Sequence, residues 1–140
     1  MKERLRILIL DDEPIVGKRL VPSLNKMGCE TEAFVAPETA LKRIEEAPFD
    51  IVVTDIRMEG LSGIEVLQRV LSLSPKSKVI MITGYATMEV AREALAKGAF
   101  DFIAKPFKPG DLRKVITRAA RTLGFELKEP GGPADESQVL

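Results

Sequence analysis

Five residues suited to phosphoryl chemistry stand at the ends of short apolar runs in this 140-residue chain. Asp11 and Asp12 follow one run, Asp55 follows a second, and Thr83 and Lys105 come at the ends of two more. Crowded carboxylates repel one another unless a cation compensates, and Mg²⁺ prefers oxygen ligands. A carboxylate can also attack phosphorus when a metal ion, an ammonium and a hydroxyl surround the phosphoryl oxygens. Brought together, these residues would make Asp55 a candidate nucleophile.

Segments of two kinds alternate along the chain. The predicted strands are Leu5–Leu10, Cys29–Phe34, Ile51–Thr54, Lys78–Thr83 and Asp101–Ala104. Continuous apolar runs predict strands covered on both faces, whereas glutamates alternate in the second segment, which indicates an edge strand. A helical repeat follows each of these segments: Met88, Ala91 and Leu95 form the fourth, and the clearest runs from Leu112 to Leu123. Pro14, Pro37 and Pro109 suit first helical turns, but Pro22 should bend or interrupt the first helix.

Five strands alternating with five helices predict an α/β fold with a parallel sheet. Right-handed crossovers and the edge character of strand two favour the order 2-1-3-4-5 with five flanking helices. Ligands in such folds bind at the carboxyl ends of strands one and three, where the five residues above would meet. Residues 1–123 form the predicted domain, and Gly124–Leu140 has the composition of a flexible tail or linker.

The composition excludes several classes of function. Lysine plus arginine equals aspartate plus glutamate, at 21 each, so charge gives no reason to expect nucleic-acid or membrane binding. The absence of histidine removes most zinc sites and the common catalytic triads. Cys29, the only cysteine, has no partner for an intrachain disulfide and suits a small buried strand residue. The first apolar run is too short for a signal peptide or membrane span, so we expect a cytoplasmic protein.

Each of the five residues also has a plainer interpretation. Asp11 and Asp12 could cap a helix, Asp55 and Thr83 could lie in turns, and Lys105 could be a solvated surface lysine. A chance gathering of all five at one sheet edge is much less expected than any of these alone. The combination, rather than any single residue, therefore carries the prediction.

At this point the chain resembles the receiver domains of two-component response regulators over about residues 4–123. The resemblance rests on ILILDDEP, IVVTDIRM, GIEVL, VIMITGYA and GAFDFIAKPF, in the family's order and spacing. It implies the family's fold, a five-stranded parallel sheet with five helices. It also implies Asp55 as phosphoacceptor, Asp11, Asp12, Asp55 and the Arg57 carbonyl as Mg²⁺ ligands, Thr83 and Lys105 as phosphoryl-binding residues, Phe102 as the aromatic switch, and a cis bond between Lys105 and Pro106.

The resemblance further implies a two-state signalling protein rather than a turnover enzyme. A sensor histidine kinase would phosphorylate it, after which Thr83 and Phe102 would move and remodel the surface of helix four, strand five and helix five. The stretch from Gly84 to Phe107 looks most like receivers of enhancer-binding transcription activators. An output domain, a downstream protein and a homodimer are therefore open as partners, while the kinase and the signal are not identified by the sequence.

Two residues depart from the family pattern. Glu59 stands where many members have proline, and Arg57 is bulky and cationic. Arg57 could pair with Asp55 or Glu59 and alter the metal affinity or the lifetime of the phosphorylated state, or it could be solvated. Tyr85 could shield the site from water.

Three other functions are alternatives to the receiver. A haloacid dehalogenase-like phosphatase needs a second aspartate where Arg57 stands, and a flavodoxin-like cofactor binder needs a phosphate-cradling loop in place of Asp11 and Asp12. A pseudo-receiver that binds partners without phosphorylation would not need all five residues.

Overall fold

A computed structural model describes residues 4–57, 62–84, 88–127 and 139–140. Strands and helices alternate strictly through the described residues. The elements are β1 (Arg6–Leu10), α1 (Pro14–Asn25), β2 (Glu30–Phe34), α2 (Pro37–Glu46), β3 (Ile51–Asp55), α3 (Gly63–Leu73), β4 (Lys78–Thr83), α4 (Met88–Ala96), β5 (Asp101–Ala104) and α5 (Pro109–Thr122). None of the helices in these ranges is both long enough and apolar enough to cross a membrane.

The five strands form one parallel sheet in the order β2-β1-β3-β4-β5, which confirms the predicted topology. Because the side chains of successive strand residues point to opposite faces of the sheet, the central strands contribute residues to two separate hydrophobic cores. Ile7 and Ile9 pack with α1 and α5, whereas Leu8 and Leu10 pack with α2, α3 and α4. The continuous apolar runs of β1, β3 and β4 are buried on both faces, as predicted.

Most helix boundaries agree with the sequence signals. Prolines occupy the first turns of α1, α2 and α5, and Ser62 caps α3 by accepting a hydrogen bond from the Glu65 N–H at 3.2 Å. Pro22 does not interrupt α1, which continues to Asn25. The stripe predicted for α4 is wrong at Leu95, which is 48% exposed, because the neighbouring Ala94 faces the core instead.

The edge strand β2 differs in detail from its prediction. Glu32 of this strand is half-buried beneath two arginines. Arg43 donates two hydrogen bonds to the Glu32 carboxylate, at 2.9 and 3.0 Å, and the Arg6 guanidinium lies 3.4 Å from it. Ala33 is exposed, although its Cβ lies against Gly17 of α1. Cys29 is buried as predicted but lies one residue before the strand begins. The glutamate face of this strand is thus tied to β1 and α2 by ion pairs.

The opposite edge strand, β5, is only partly buried and is also held by an ion pair. The Arg118 guanidinium on α5 donates a 2.5 Å hydrogen bond to the Asp101 carboxylate on β5. Beyond α5, Phe125 and Leu127 pack against the core, and so does Leu140. The intervening residues 128–138 lie outside the described ranges, so the flexible tail stays a prediction.

Candidate functional site

The first part of the site is the turn that joins β1 to α1. Asp11 is buried at the carboxyl end of β1, and its N–H continues the pairing with β2 by donating to the Phe34 carbonyl at 3.1 Å. The Asp11 Oδ1 accepts a hydrogen bond from the Glu13 N–H at 2.9 Å, which fixes the carboxylate against the turn. Asp12 and Glu13 are exposed beside it. The turn therefore presents one rigid buried carboxylate and two solvated ones.

Asp55 is the last residue of β3 and is 5% exposed. Its Oδ1 accepts a hydrogen bond from the Arg57 N–H at 3.0 Å, which orients the carboxylate toward the sheet edge. The backbone behind it is tightly packed, because Ile56 donates to the Ile82 carbonyl at 3.0 Å and accepts from the Gly63 N–H at 2.8 Å. Strand pairing and the start of α3 thus fix the position of Asp55.

Lys105 connects the separate strands at this edge. Its Nζ lies 2.8 Å from Asp11 Oδ2, 3.0 Å from Asp55 Oδ2 and 2.9 Å from Glu13 Oε1. The lysine side chain is 13% exposed, so these contacts are largely shielded from water. Its backbone N–H donates to the Thr83 carbonyl at 2.8 Å, and its bond to Pro106 is cis, as the resemblance implied. One ammonium therefore holds three carboxylates from two strand ends.

The site's electrostatics follow from burial and from these contacts. Burial raises the pKa of Asp11 above its usual range, and the hydrogen bond from Lys105 only partly opposes this effect. For Lys105, burial acts to lower the pKa, but hydrogen bonds to Asp11, Glu13 and Asp55 outweigh it, so the pKa is raised. Lys105 is therefore firmly cationic at neutral pH, whereas burial disfavours the ionised form of Asp11.

The aspartates are close enough to share a metal ion. One carboxylate oxygen from each of Asp11, Asp12 and Asp55 lies within 4.8 Å of the other two. Apart from its ion pair with Lys105, the buried Asp11 Oδ2 has no hydrogen-bond partner among the described residues. A hard cation with oxygen ligands fits this set, since it would satisfy that oxygen and offset the charge.

The remaining predicted residues lie at the same edge or outside the described ranges. Thr83 is buried at the end of β4, one residue beyond Ile82, the partner of Asp55 in the sheet. Phe102 is half-buried on β5 and packs against the core under α4. Tyr85 and Glu59 are not among the described residues, so the hypotheses that involve them stay predictions.

Two contributors to the site were missed from the sequence. Glu13 is not among the predicted site residues, yet it is an ion-pair partner of Lys105. Gly63 belongs to the GIEVL motif, but the motif does not predict its packing behind Asp55, where an added side-chain carbon would meet the Ile56 Cα at 2.5 Å. The acid run itself pointed to Glu13, whereas no sequence signal shows how closely the start of α3 approaches β3.

Comparisons with known proteins agree with this architecture. The family described as response regulator receiver domain matches residues 7–117. The response regulator protein PilR of Pseudomonas aeruginosa is 35% identical over 126 residues, which cover 90% of this chain and 28% of that protein. The regulatory protein AtoC of Escherichia coli is 40% identical over 114 residues, covering 81% of this chain and 25% of AtoC. The chain thus spans only about a quarter of the length of these two relatives.

A solved structure gives the same result for the fold. The beryllofluoride-activated NtrC4 receiver domain dimer, determined in solution, is 31% identical and superposes with a TM-score of 0.79. The match covers 84% of this chain and 97% of that one. The similarity therefore extends over nearly the whole of that receiver domain.

Proposed function

Since the chain belongs to the response regulator receiver domain family of two-component systems, we propose that it is a switch set by phosphorylation of Asp55. The observation that carries this assignment is the placement of the buried Asp55 carboxylate. It lies 3.0 Å from the Lys105 ammonium and within one 4.8 Å cluster with Asp11 and Asp12. This arrangement can hold a nucleophile, a phosphoryl group and a cation together.

The proposed ligands of Mg²⁺ are the side chains of Asp11, Asp12 and Asp55, together with the backbone carbonyl of Arg57. When bound there, the ion would offset the negative charge that the carboxylates and an incoming phosphoryl group bring together. The buried Asp11 carboxylate supports this role, because burial disfavours its ionised form and added positive charge would favour it.

In the proposed reaction a carboxylate oxygen of Asp55 attacks the phosphorus of a donor. An O–P bond forms, and the bond between phosphorus and the donor's nitrogen or oxygen breaks, with its electron pair leaving on the donor. The product is an acyl phosphate on Asp55. Lys105 holds the carboxylate in place beforehand, and its ammonium can then pair with a phosphoryl oxygen, as can the hydroxyl of Thr83.

Receiver domains are signalling switches rather than turnover enzymes. For this chain we propose that a sensor histidine kinase donates the phosphoryl group in the cytoplasm. Thr83 and Phe102 would then transmit the change to the surface of α4, β5 and α5. That Phe102 is half-buried on β5 supports a ring that can change its packing.

The relatives suggest what the switch controls. PilR is a response regulator and AtoC a regulatory protein, each about four times as long as the matching part of this chain. Another relative, the transcriptional regulatory protein ZraR of Escherichia coli, is 30% identical over 135 residues. We therefore infer an output that regulates transcription, through a further domain or a partner protein. A homodimer is also proposed, because the similar NtrC4 receiver domain forms one when activated by beryllofluoride.

The phosphoacceptor can be tested with a small donor. Incubation with Mg²⁺ and acetyl phosphate, followed by intact mass, should show one added phosphoryl group on the wild type and none on Asp55→Asn. Asp50→Asn is the matched control, because Asp50 is another buried aspartate at the opposite end of β3, where it accepts the Arg6 N–H at 2.8 Å. That variant should still be phosphorylated. An unmodified wild type, or modification of Asp55→Asn, would reject the assignment.

The departure at Arg57 can be tested in the same assay. We propose that the Arg57 side chain alters the lifetime of the phosphorylated state or the affinity for Mg²⁺. The hydrogen bond from its own N–H to Asp55 shows that this residue adjoins the acceptor. Arg57→Ala keeps that backbone contact and removes only the side chain. Unchanged dephosphorylation and unchanged Mg²⁺ affinity in this variant would reject the hypothesis.

A further inference from the structure

The segment Val139–Leu140 is paired with the chain just beyond β5. The Leu140 N–H donates to the Phe107 carbonyl at 2.7 Å, and the Phe107 N–H donates to the Leu140 carbonyl at the same distance. This exchange of two hydrogen bonds is the pattern of an antiparallel strand pair. The Leu140 side chain also packs against the core cluster under α1 and α5. Backbone and side chain thus both hold the segment.

The segment lies in a groove that borders the phosphoacceptor site. A cavity of about 280 Å³ separates it from α1 and is lined by Glu13, Ile15, Val16, Arg19 and Lys105 together with the segment itself. Ile15 and Val139, both nearly half exposed, face this cavity. The groove therefore has an apolar floor and wall, with an ion pair between Glu13 and Lys105 at one end.

We propose that this groove is a docking site for an extended apolar peptide, and that Val139–Leu140 of the same chain is its occupant. Recognition would combine added-strand hydrogen bonds to Phe107 with the fit of the two apolar side chains. Covalent connection raises the effective concentration of the segment, so even a weak contact is populated.

The docked segment also limits approach to Asp55 from the side of α1, a consequence that rests on the proposed phosphoacceptor role. Glu13 and Lys105 line the groove, and the same Lys105 ammonium contacts the Asp55 carboxylate at 3.0 Å. A donor that reaches Asp55 past Lys105 must therefore pass the segment. Release of Val139–Leu140 opens that path.

The docking is tested by hydrogen exchange at a single amide. In the wild type the Phe107 N–H should exchange at least tenfold more slowly than in the double variant Val139→Ser with Leu140→Ser. Leu140→Pro, which removes the Leu140 N–H donor and fixes φ at this residue but keeps it apolar, should give an intermediate loss of protection. Leu73→Ser is the matched control, since Leu73 on α3 is as exposed as Val139, and it should leave Phe107 protected. Equal exchange in all four proteins would overturn the groove and its occupant.

The effect on access is tested with acetyl phosphate and Mg²⁺. Serine adds no charge that would repel this anionic donor, so the double serine variant isolates the effect of release. Its phosphorylation should be at least threefold faster than that of the wild type and of Leu73→Ser. An unchanged rate together with an exposed Phe107 amide would overturn the limit on access. If no variant is phosphorylated, the proposed function fails instead, while the exchange measurement still decides whether the segment docks.

Discussion

Replacement of Gly63 by alanine should move Asp55, the proposed phosphoacceptor, without touching any charged group. Gly63 is the first residue of α3, and its N–H donates to the Ile56 carbonyl at 2.8 Å. A methyl group there would lie 2.5 Å from the Ile56 Cα and would also meet the Asp55 carbonyl. Ordinary contacts between carbon atoms need about 3.5 Å, so α3 and the end of β3 must separate by about 1 Å.

The cost can be worked from this overlap. Overpacking in a well-packed region costs about 1–3 kcal/mol, and the upper part of that range applies because both contacted atoms belong to the backbone. Alanine regains up to about 1 kcal/mol of helix propensity. The free energy of unfolding should therefore fall by about 2 kcal/mol. With a urea dependence of about 2 kcal/mol per molar, the unfolding midpoint should fall by about 1 M.

The rate of phosphorylation distinguishes a displaced Asp55 from a protein that is merely less stable. A displacement of about 1 Å in a reacting group can cost on the order of 100-fold in rate. We expect phosphorylation of Gly63→Ala by acetyl phosphate to fall at least tenfold below wild type, measured by intact mass under conditions where the protein is folded.

Gly17→Ala is the matched control for this prediction. Its added methyl would meet the Ala33 Cβ at 2.6 Å, between α1 and β2, so it should also lower stability. It contacts no part of Asp55 and should be phosphorylated at the wild-type rate. A folded Gly63→Ala protein with a wild-type rate, or an equal loss of rate in Gly17→Ala, would refute the reasoning.

Three further predictions concern charge and burial. Lys105→Met leaves the buried carboxylates of Asp11 and Asp55 without their ammonium, so the free energy of unfolding in urea at pH 7 should fall by about 3 kcal/mol, and no fall would contradict the ion-pair geometry. Burial raises the pKa of the Cys29 thiol from 9.0 to about 11. At pH 8 this thiol should therefore react with a disulfide reagent about 100-fold more slowly than in the urea-unfolded chain. Equal reaction rates in the folded and unfolded chains would contradict the burial of Cys29. The hydrogen bond from Arg43, with burial opposing it, lowers the pKa of Glu32 below 4.5. Above pH 4.5, Glu32→Gln should therefore be less stable than wild type by at most about 1 kcal/mol, and this difference should vanish as the pH falls through the lowered pKa. A difference in stability that does not change with pH would exclude the ion pair with Arg43 as its cause.

The strand order was predicted correctly because the sequence allows few arrangements of these strands in one sheet. Uninterrupted apolar runs such as Ile51–Thr54 can be buried only in the middle of a sheet, and the Glu-containing β2 could lie only at an edge. Those two facts, with right-handed crossovers, leave little choice of strand order. The gathering of Asp11 and Asp55 at one edge then follows, because the carboxyl ends of parallel strands meet there.

The details that were missed depend on contacts between elements. Ala94 and Leu95 are neighbours in sequence, and only the packing of α4 on the sheet decides which of them is buried. The small side chain of Ala94 allows α4 to approach the sheet closely. A pattern based on large apolar residues does not reveal such a contact. The pairing of Leu140 with Phe107 is similarly invisible in a segment whose composition indicates flexibility.

The charged pairs on the two outer strands limit how copies of this protein can assemble. At one margin of the sheet Glu32 is held by arginines, and at the other Asp101 is held by Arg118. A further strand from a second copy would have to approach these ionic groups and strip their water, which opposes growth into a continuous ribbon. We therefore expect any self-association to be face to face through helices and to remain finite rather than fibrous.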